Sequence, residues 1–291
     1  MIITGLIKSV DEEEKILTLK HKNKVNTYYV QKSLMNNFSK YLKVGYFIQF
    51  IVKDEPRIYR GILVRNIDHI RKIQVLRHRK SLVFFDYKNI NNGIQKLINS
   101  LENIMYLDLE MTMHPYKKDP TFRQEVLQVG YLLEDANGNV IKKYNKMIKP
   151  TIHKTITART RKFLKITQEE VDKGIDYNEF YEDFKETILK YKPAILAWGK
   201  NDFLALKDSY IVNKRSSLIG YTRYINLLKI HKTFLNVRND IGLFNAYGLY
   251  YEPLQKQSHD AFEDAQVTKK ILEGFKSLVN EKITVDTKNL I

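Results

Sequence analysis

Asp108 and Glu110 stand two residues apart in Tyr106-Leu107-Asp108-Leu109-Glu110. On a strand, side chains at i and i+2 leave by the same face. Two carboxylates held side by side repel each other, and burial raises that cost. A divalent cation between them removes it and takes their oxygens as hard ligands. The flanking Ile104, Met105, Leu107 and Leu109 suit an interior strand, although an exposed strand with polar alternate positions reads the same way.

A further acid follows in Ala197-Trp198-Gly199-Lys200-Asn201-Asp202. Here a strand runs to a glycine, and a carboxylate stands just past the strand's carboxyl end, where open αβ sheets place their sites. Asp202 also precedes Phe203-Leu204-Ala205-Leu206 and could simply cap that helix. The two roles are compatible. The third segment is Ser258-His259-Asp260-Ala261-Phe262-Glu263-Asp264-Ala265. It places His259 at a helix start and Asp264 about a turn and a half later. Imidazole has a proton that is mobile near neutral pH, so it suits activation of water. The same residues also read as an ordinary helix start, with Ser258 as cap and Asp260 and Glu263 in an acidic first turn. Ala261 and Ala265 are small enough to let such a helix pack closely on a sheet. Four carboxylates converging on one spot require cations, and oxygen ligands without cysteine favour Mg²⁺ or Mn²⁺ over zinc.

The elements that must position these groups lie in the second part of the chain. Strands are expected at Met105–Glu110, Val126–Glu134, Val140–Ile148 and Ala194–Gly199, with helices at Ala158–Lys165, from Thr167, at Tyr177–Tyr191 and at Ser258–Val279. Alternating hairpins and αβ units imply a mixed sheet flanked by helices. The first 70 residues are β-rich instead. Segments at Ile2–Val10, Lys15–His21, Asn26–Gln31, Tyr46–Lys53 and Arg57–Ile67 alternate or are apolar, and Ser33–Lys43 has helical spacing between the third and fourth. Five strands with a helix in that place is the order of an OB-like barrel. Alternation puts Tyr46, Ile48, Phe50 and Val52 on its core face and Phe47, Gln49 and Ile51 outside. Tyr28 and Tyr29 face opposite ways. Tyr28 and Tyr59 are candidate platforms for bases.

The 291 residues carry a net charge of +16. Residues 1–100 hold 19 Lys+Arg against 8 Asp+Glu, a net +11, whereas the other 191 hold 30 against 25. So uneven a distribution suggests a surface for a polyanion, although Lys-rich solubility reads alike. The stretch Arg71–Lys80, with Arg77, Arg79 and Lys80, could line a nucleic-acid path or be a solvated linker. The expected organisation is a barrel over 1–72, a basic linker and connecting helix over 73–103, and the carboxylate-bearing domain over 104–291, with the boundary somewhere between about 70 and 100. With no cysteine there is neither a disulfide framework nor a Cys-based zinc site. No signal-peptide pattern and no run of roughly 20 apolar residues occurs, so the expectation is a soluble, cytoplasmic protein without a membrane partner.

The motifs D-x-E, then D, then H-x-A-x-x-D, in these contexts, resemble the DEDDh 3′→5′ exonuclease superfamily over roughly residues 104–279. The middle region, Glu125–Gly130, Lys149-Pro150 and Leu164–Val171, looks most like the histone-mRNA and small-RNA exonuclease branch. Lys165 stands where glycine is frequent. The resemblance implies a ribonuclease H-like fold and two divalent cations. Asp108, Glu110 and Asp264 would hold one ion, Asp108 would share the second, Asp202 would complete its shell, and His259 would act as base. Two ions about 3.5–4 Å apart stabilise the entering and leaving oxygens. Leu109, Met111 and Thr112 would line the pocket of the terminal nucleotide. The implied activity releases 5′-mononucleotides from single-stranded nucleic acid, RNA before DNA, and a homodimer is compatible with it. The competing readings are a DNA exonuclease of proofreading or repair, a non-catalytic nucleic-acid-binding protein, and a protein-interaction module.

Overall fold

The computed structural model describes all residues except 22–23, 78–79, 118, 238, 255–258 and 287–291. The chain divides into two units, Met1–Gly93 and Ile94–Ile291.

In the first unit, β1 (Ile2–Asp11), β2 (Ile16–His21), β3 (Lys24–Val30), α1 (Lys32–Phe38), β4 (Phe47–Tyr59), β5 (Ile62–Arg77) and β6 (Lys80–Asp86) follow in order. β1 pairs antiparallel with β2 and β4, β2 with β3, and β4 with β5. β3 then runs parallel to β5 from Tyr28↔Arg65 to Val30↔Ile67, which closes the ring. Closure leaves the five barrel strands without an open edge. The result is a small OB-like barrel with its helix between the third and fourth strands. Ile48, Phe50 and Val52 are buried, while Phe47, Gln49 and Ile51 on the opposite face are half-buried. Tyr46 is also half-buried, stacked on Phe84 of β6 with ring centroids 5.1 Å apart.

Three expectations change here. The segment Arg57–Ile67 is not one strand: it turns at Arg60-Gly61, whose φ values of 48° and 78° make a two-residue hairpin. The basic stretch Arg71–Lys80 is not a linker. β5 continues through Arg77, burying Ile70 and Ile73 on one face, and β6 pairs back along it with Arg77 opposite Lys80. A boundary at residue 72 therefore falls inside a strand. The division between the units comes at 93/94, within α2 (Tyr87–Asn99), and that helix ends before Ile104.

The second unit holds β7 (Ile104–Met111), β8 (Val126–Glu134), β9 (Val140–Met147), α3 (Ala158–Leu164), α4 (Gln168–Asp172), α5 (Tyr177–Tyr191), β10 (Ala194–Ala197), α6 (Asn201–Val212), β11 (Arg223–Asn226), α7 (Leu227–Leu235), α8 (Leu243–Tyr247) and α9 (Ala261–Val279). Its sheet has the order β11-β10-β7-β8-β9, with β10 parallel to β7 and β11 and the remaining pairs antiparallel. One face presents Met105, Leu107, Leu109, Val129, Tyr131 and Leu133 to Phe180, Phe184 and Ile188 of α5 and to Leu206 and Tyr210 of α6. The helix α9 covers the other face of β7 and β8. This is the expected mixed sheet between helices. Among the described residues no helix is long and apolar enough to cross a membrane.

Candidate active site

The apolar residues Met105, Leu107 and Leu109 hold one face of β7 in the core, so alternation turns Tyr106, Asp108 and Glu110 toward α9. Tyr106 donates to Glu134 at 2.7 Å, and Lys269 of α9 pairs with the same carboxylate, which anchors the helix on this face. Two residues further along β7, Asp108 lies opposite Gly130 of β8. A Cβ built on Gly130 would fall 2.2 Å from the Ala261 carbonyl carbon and from the Phe262 nitrogen. Only the missing side chain lets the first turn of α9 lie on the sheet, and Ala261 and Ala265 are fully buried there. Gln128 completes the seam: it donates to Asp260 at 2.7 Å and accepts from the Ala261 amide at 3.3 Å.

This approach brings Asp264 to β7. Ligand oxygens of Asp108, Glu110 and Asp264 all lie within 4.8 Å of one another. Asp264 is 7% exposed, and its Oδ1 is buried with no hydrogen-bond partner. A buried, unpartnered carboxylate oxygen beside two other acids fits a hard divalent cation. Burial pushes Asp108 well above the usual carboxylate range, and the charges of Asp202, Asp264, Glu110 and Asp260 push it the same way. Burial, then Asp264, Asp202 and Asp260, raise Glu110 to about 8. Asp264 is raised to about 6 by burial and by Asp260, Glu263 and Asp202.

Asp202 does not cap α6. Lys200 is the N-cap residue, without a side-chain bond, and Asp202 lies in the first turn after Gly199, whose φ is 122°. The β10–β7 ladder ends at Leu196↔Tyr106, and the Leu109 amide beyond it donates to Asp202 Oδ1 at 3.1 Å. Burial raises Asp202 to about 6, against the lowering effect of its own amide and that of Leu109. The carboxylate thus locks α6 to the strand that bears Asp108 and Glu110.

His259 precedes α9 rather than opening it, and Ser258 lies outside the described residues. The N-cap is Asp260, which accepts from Phe262 and Glu263 at 3.0 and 2.9 Å. His259 has a left-handed backbone, φ 51°, and its ring packs on Phe163 of α3 at 4.4 Å. It stands outside the three-carboxylate group.

The remaining candidates separate. Leu109 is 4% exposed, its side chain in the core of the second unit. Thr112 is buried, its amide donating to the Glu125 carbonyl and its hydroxyl accepting from the Glu125 amide. Met111 does line a cavity of about 340 Å³, with Gln124, Asn201 and Leu204 among its neighbours. Tyr28 is a core residue, 6% exposed and edge-on to Phe50, so it cannot be a platform. Its neighbour Tyr29 faces outward, 4.9 Å from Tyr59, with Arg57 over both rings. Arg77 and Lys80 are exposed at the β5–β6 hairpin, and Arg79 lies outside the described residues. Gly130 and Gln128 carry no site signal in the sequence. Their role depends on the register of β7 against β8, which leaves no mark in local composition.

The Exonuclease family model matches residues 105–272. The probable 3′-5′ exonuclease KapD of Bacillus subtilis is 27% identical over 171 residues, covering 58% of this chain and 82% of its own. The 3′-5′ exonuclease crn-4 of Caenorhabditis elegans is 25% identical over 205 residues, 63% of this chain and 67% of its own. In fold, the second unit is similar to the nuclease domain of 3′hExo, a DEDDh family member solved with rAMP. That match has a TM-score of 0.52 at 16% identity, over 64% of this chain and 97% of that one. With the family model covering more than half of the chain and all five motif positions filled, this chain belongs to the exonuclease family, within the ribonuclease H-like DEDDh 3′→5′ superfamily.

Proposed function

We propose that this protein is a divalent-metal-dependent exonuclease that releases 5′-mononucleotides from the 3′ end of single-stranded nucleic acid, RNA in preference to DNA. The observation that carries the reading is the group of Asp108, Glu110 and Asp264 with its unpartnered buried oxygen. These three would hold Mg²⁺ or Mn²⁺, two ions in all, with Asp202 completing the set. Bound cations would polarise the scissile phosphate and stabilise the entering and leaving oxygens. Asp202 keeps the strand and α6 in register by holding the Leu109 amide. His259 takes the proton of the attacking water. The preference for RNA is supported by the resemblance of the middle region to the RNA-acting branch. Residues 1–100, net +11, include the barrel and its Tyr29–Tyr59–Arg57 cluster, and supply attraction to phosphate and a stacking surface that an acidic site lacks.

The test is digestion of matched 5′-labelled RNA and DNA oligomers with Mg²⁺, Mn²⁺ or EDTA. Stepwise shortening from the 3′ end with mononucleotide release is expected, faster on RNA, abolished by EDTA and lowered at least about a thousandfold by Asp108→Asn. Internal cleavage, or activity indifferent to chelation, would overturn the reading. Faster digestion of DNA would reverse the substrate preference.

A further inference from the structure

We propose that α3 and the cavity wall beside His259 form a grip for the phosphodiester backbone of the substrate, 5′ to the bond that is cut. The inference rests on the exonuclease reading above and extends it to residues outside the DEDDh motifs.

α3 is tied at one end to the segment after β7 and at the other to His259. At its start, Thr160 is fully buried and its hydroxyl accepts from the Met113 amide at 2.9 Å, while the Thr157 hydroxyl donates to the Met113 carbonyl at 3.0 Å. Met113 lies just past the end of β7. At the other end, Phe163 packs against the His259 ring. The helix therefore spans from the exit of the carboxylate strand to the imidazole.

Its outer surface is cationic. Arg159, Arg161, Lys162 and Lys165 are all exposed, and Phe163 is 45% exposed among them. No acidic residue occurs from Ala158 to Gln168. Among the described residues these four cations form no ion pair, whereas Lys173 on the next helix is paired with Glu169 at 2.7 Å. Three such cations on a two-turn helix and a fourth at its C-cap repel one another, and a bound polyanion relieves that repulsion.

Lys165 strengthens the case. It occupies the C-cap of α3 with φ 57°, a left-handed conformation that glycine adopts without strain and lysine does not. The lysine lines a cavity of about 630 Å³ with His259, Gln128, Lys146 and Lys173, whose wall also carries the carboxylates of Glu170 and Asp260. An acidic centre repels the phosphates that follow the scissile one, so cations on the helix that packs on His259 are what keep the strand seated. Contacts of this kind position the backbone and read neither base nor sugar.

The test compares wild type with the triple variant Arg159→Ala/Arg161→Ala/Lys162→Ala and with Lys165→Gly, whose backbone strain is relieved and whose folding is secure. Hydrolysis of single-stranded RNA and DNA oligomers is measured over a salt series, beside hydrolysis of thymidine 5′-(p-nitrophenyl phosphate), which has no upstream phosphate. The grip predicts that KM for oligomers rises about tenfold or more in the triple variant while kcat changes little, equally for RNA and DNA. The salt dependence of log KM should flatten by about 0.7 per lost phosphate contact. The aryl ester should suffer far less. Unchanged oligomer KM and salt slope, or equal losses on oligomer and aryl ester, would overturn the proposal. If wild type cleaves neither substrate, the exonuclease reading fails by itself. Oligomer binding by fluorescence anisotropy then decides the grip, with a flattened salt slope in the variant supporting it and an unchanged one rejecting it.

Discussion

Gly130 of β8 lies directly beneath Ala261 of α9, with no room between them for a single methyl group. The contact sets the height of α9 over the sheet and hence the reach of Asp264 toward Asp108 and Glu110. Gly130→Ala should lift or tilt the first turn of the helix and lower exonuclease activity by about a hundredfold or more, since an ångström of misplacement has that effect. Gly93→Ala, where a Cβ meets nothing within 4 Å on an α-helix, is the control and should be neutral or slightly stabilising. Wild-type activity in Gly130→Ala would show that the contact is not what seats the helix.

The carboxylate cluster makes a prediction about pH. Each acid is raised in the folded protein, Glu110 to about 8, Asp202 and Asp264 to about 6, and Asp108 upward as well. A raised folded value favours the protonated form, so this stability is present at low pH and is lost as pH rises through the folded values. Buried His231, pushed down to about 4, acts in the opposite sense but only below its ordinary value of about 6.5. Between about pH 6.5 and 8.5 the Tm of EDTA-treated protein should therefore fall. Mg²⁺ or Mn²⁺ should restore it, by about 2.7 kcal/mol at a hundredfold excess over Kd, or several degrees for a domain of this size. A flat metal-free profile by differential scanning fluorimetry, or no response to either ion, would count against a shared cation site.

Asp202 holds the Leu109 amide and carries one of the charges near Asp108, and substitution separates the two. Asp202→Asn keeps an oxygen for the Leu109 amide and removes one charge, so stability should hold while activity drops sharply. Asp202→Ala leaves that buried amide unpaired and should cost about 1–3 kcal/mol more than the Asn variant in urea unfolding. Equal stability of the two would mean that the hydrogen bond contributes nothing.

The barrel aromatics divide by face. Tyr28→Ala opens the core beside Phe50 and should destabilise by about 3–5 kcal/mol. Tyr59→Ala removes part of the outward cluster with Tyr29 and Arg57. It should leave folding nearly intact and weaken single-strand binding by about 1–3 kcal/mol, read by fluorescence anisotropy. Undiminished binding by Tyr59→Ala would remove this cluster from the nucleic-acid surface.

Much of the second unit was legible residue by residue. The bounds of Val126–Glu134 and Tyr177–Tyr191 agree with the structure, and the i, i+2 spacing of Asp108 and Glu110 already put both acids on one face. Hydrophobic period is a local property, written within a few residues of where it acts. Local signals misled where a second strand or helix sets the outcome. Arg71–Lys80 reads as a charge run, yet β5 buries Ile70 and Ile73 and runs on to Arg77, where β6 pairs back along it. Of the adjacent Tyr28 and Tyr29, barrel closure alone decides which is core. Ser258 and Asp260 are equally good caps by type, and the bond from Gln128 on β8 holds Asp260 at the N-cap position. The meeting of Asp264 with residues more than 150 positions earlier depends on the register that sets Gly130 against Asp108. Composition and spacing determined which groups could do the chemistry, while only the packing of α9 on β8 determined that they meet, because close approach between distant segments is encoded in the fit of both surfaces.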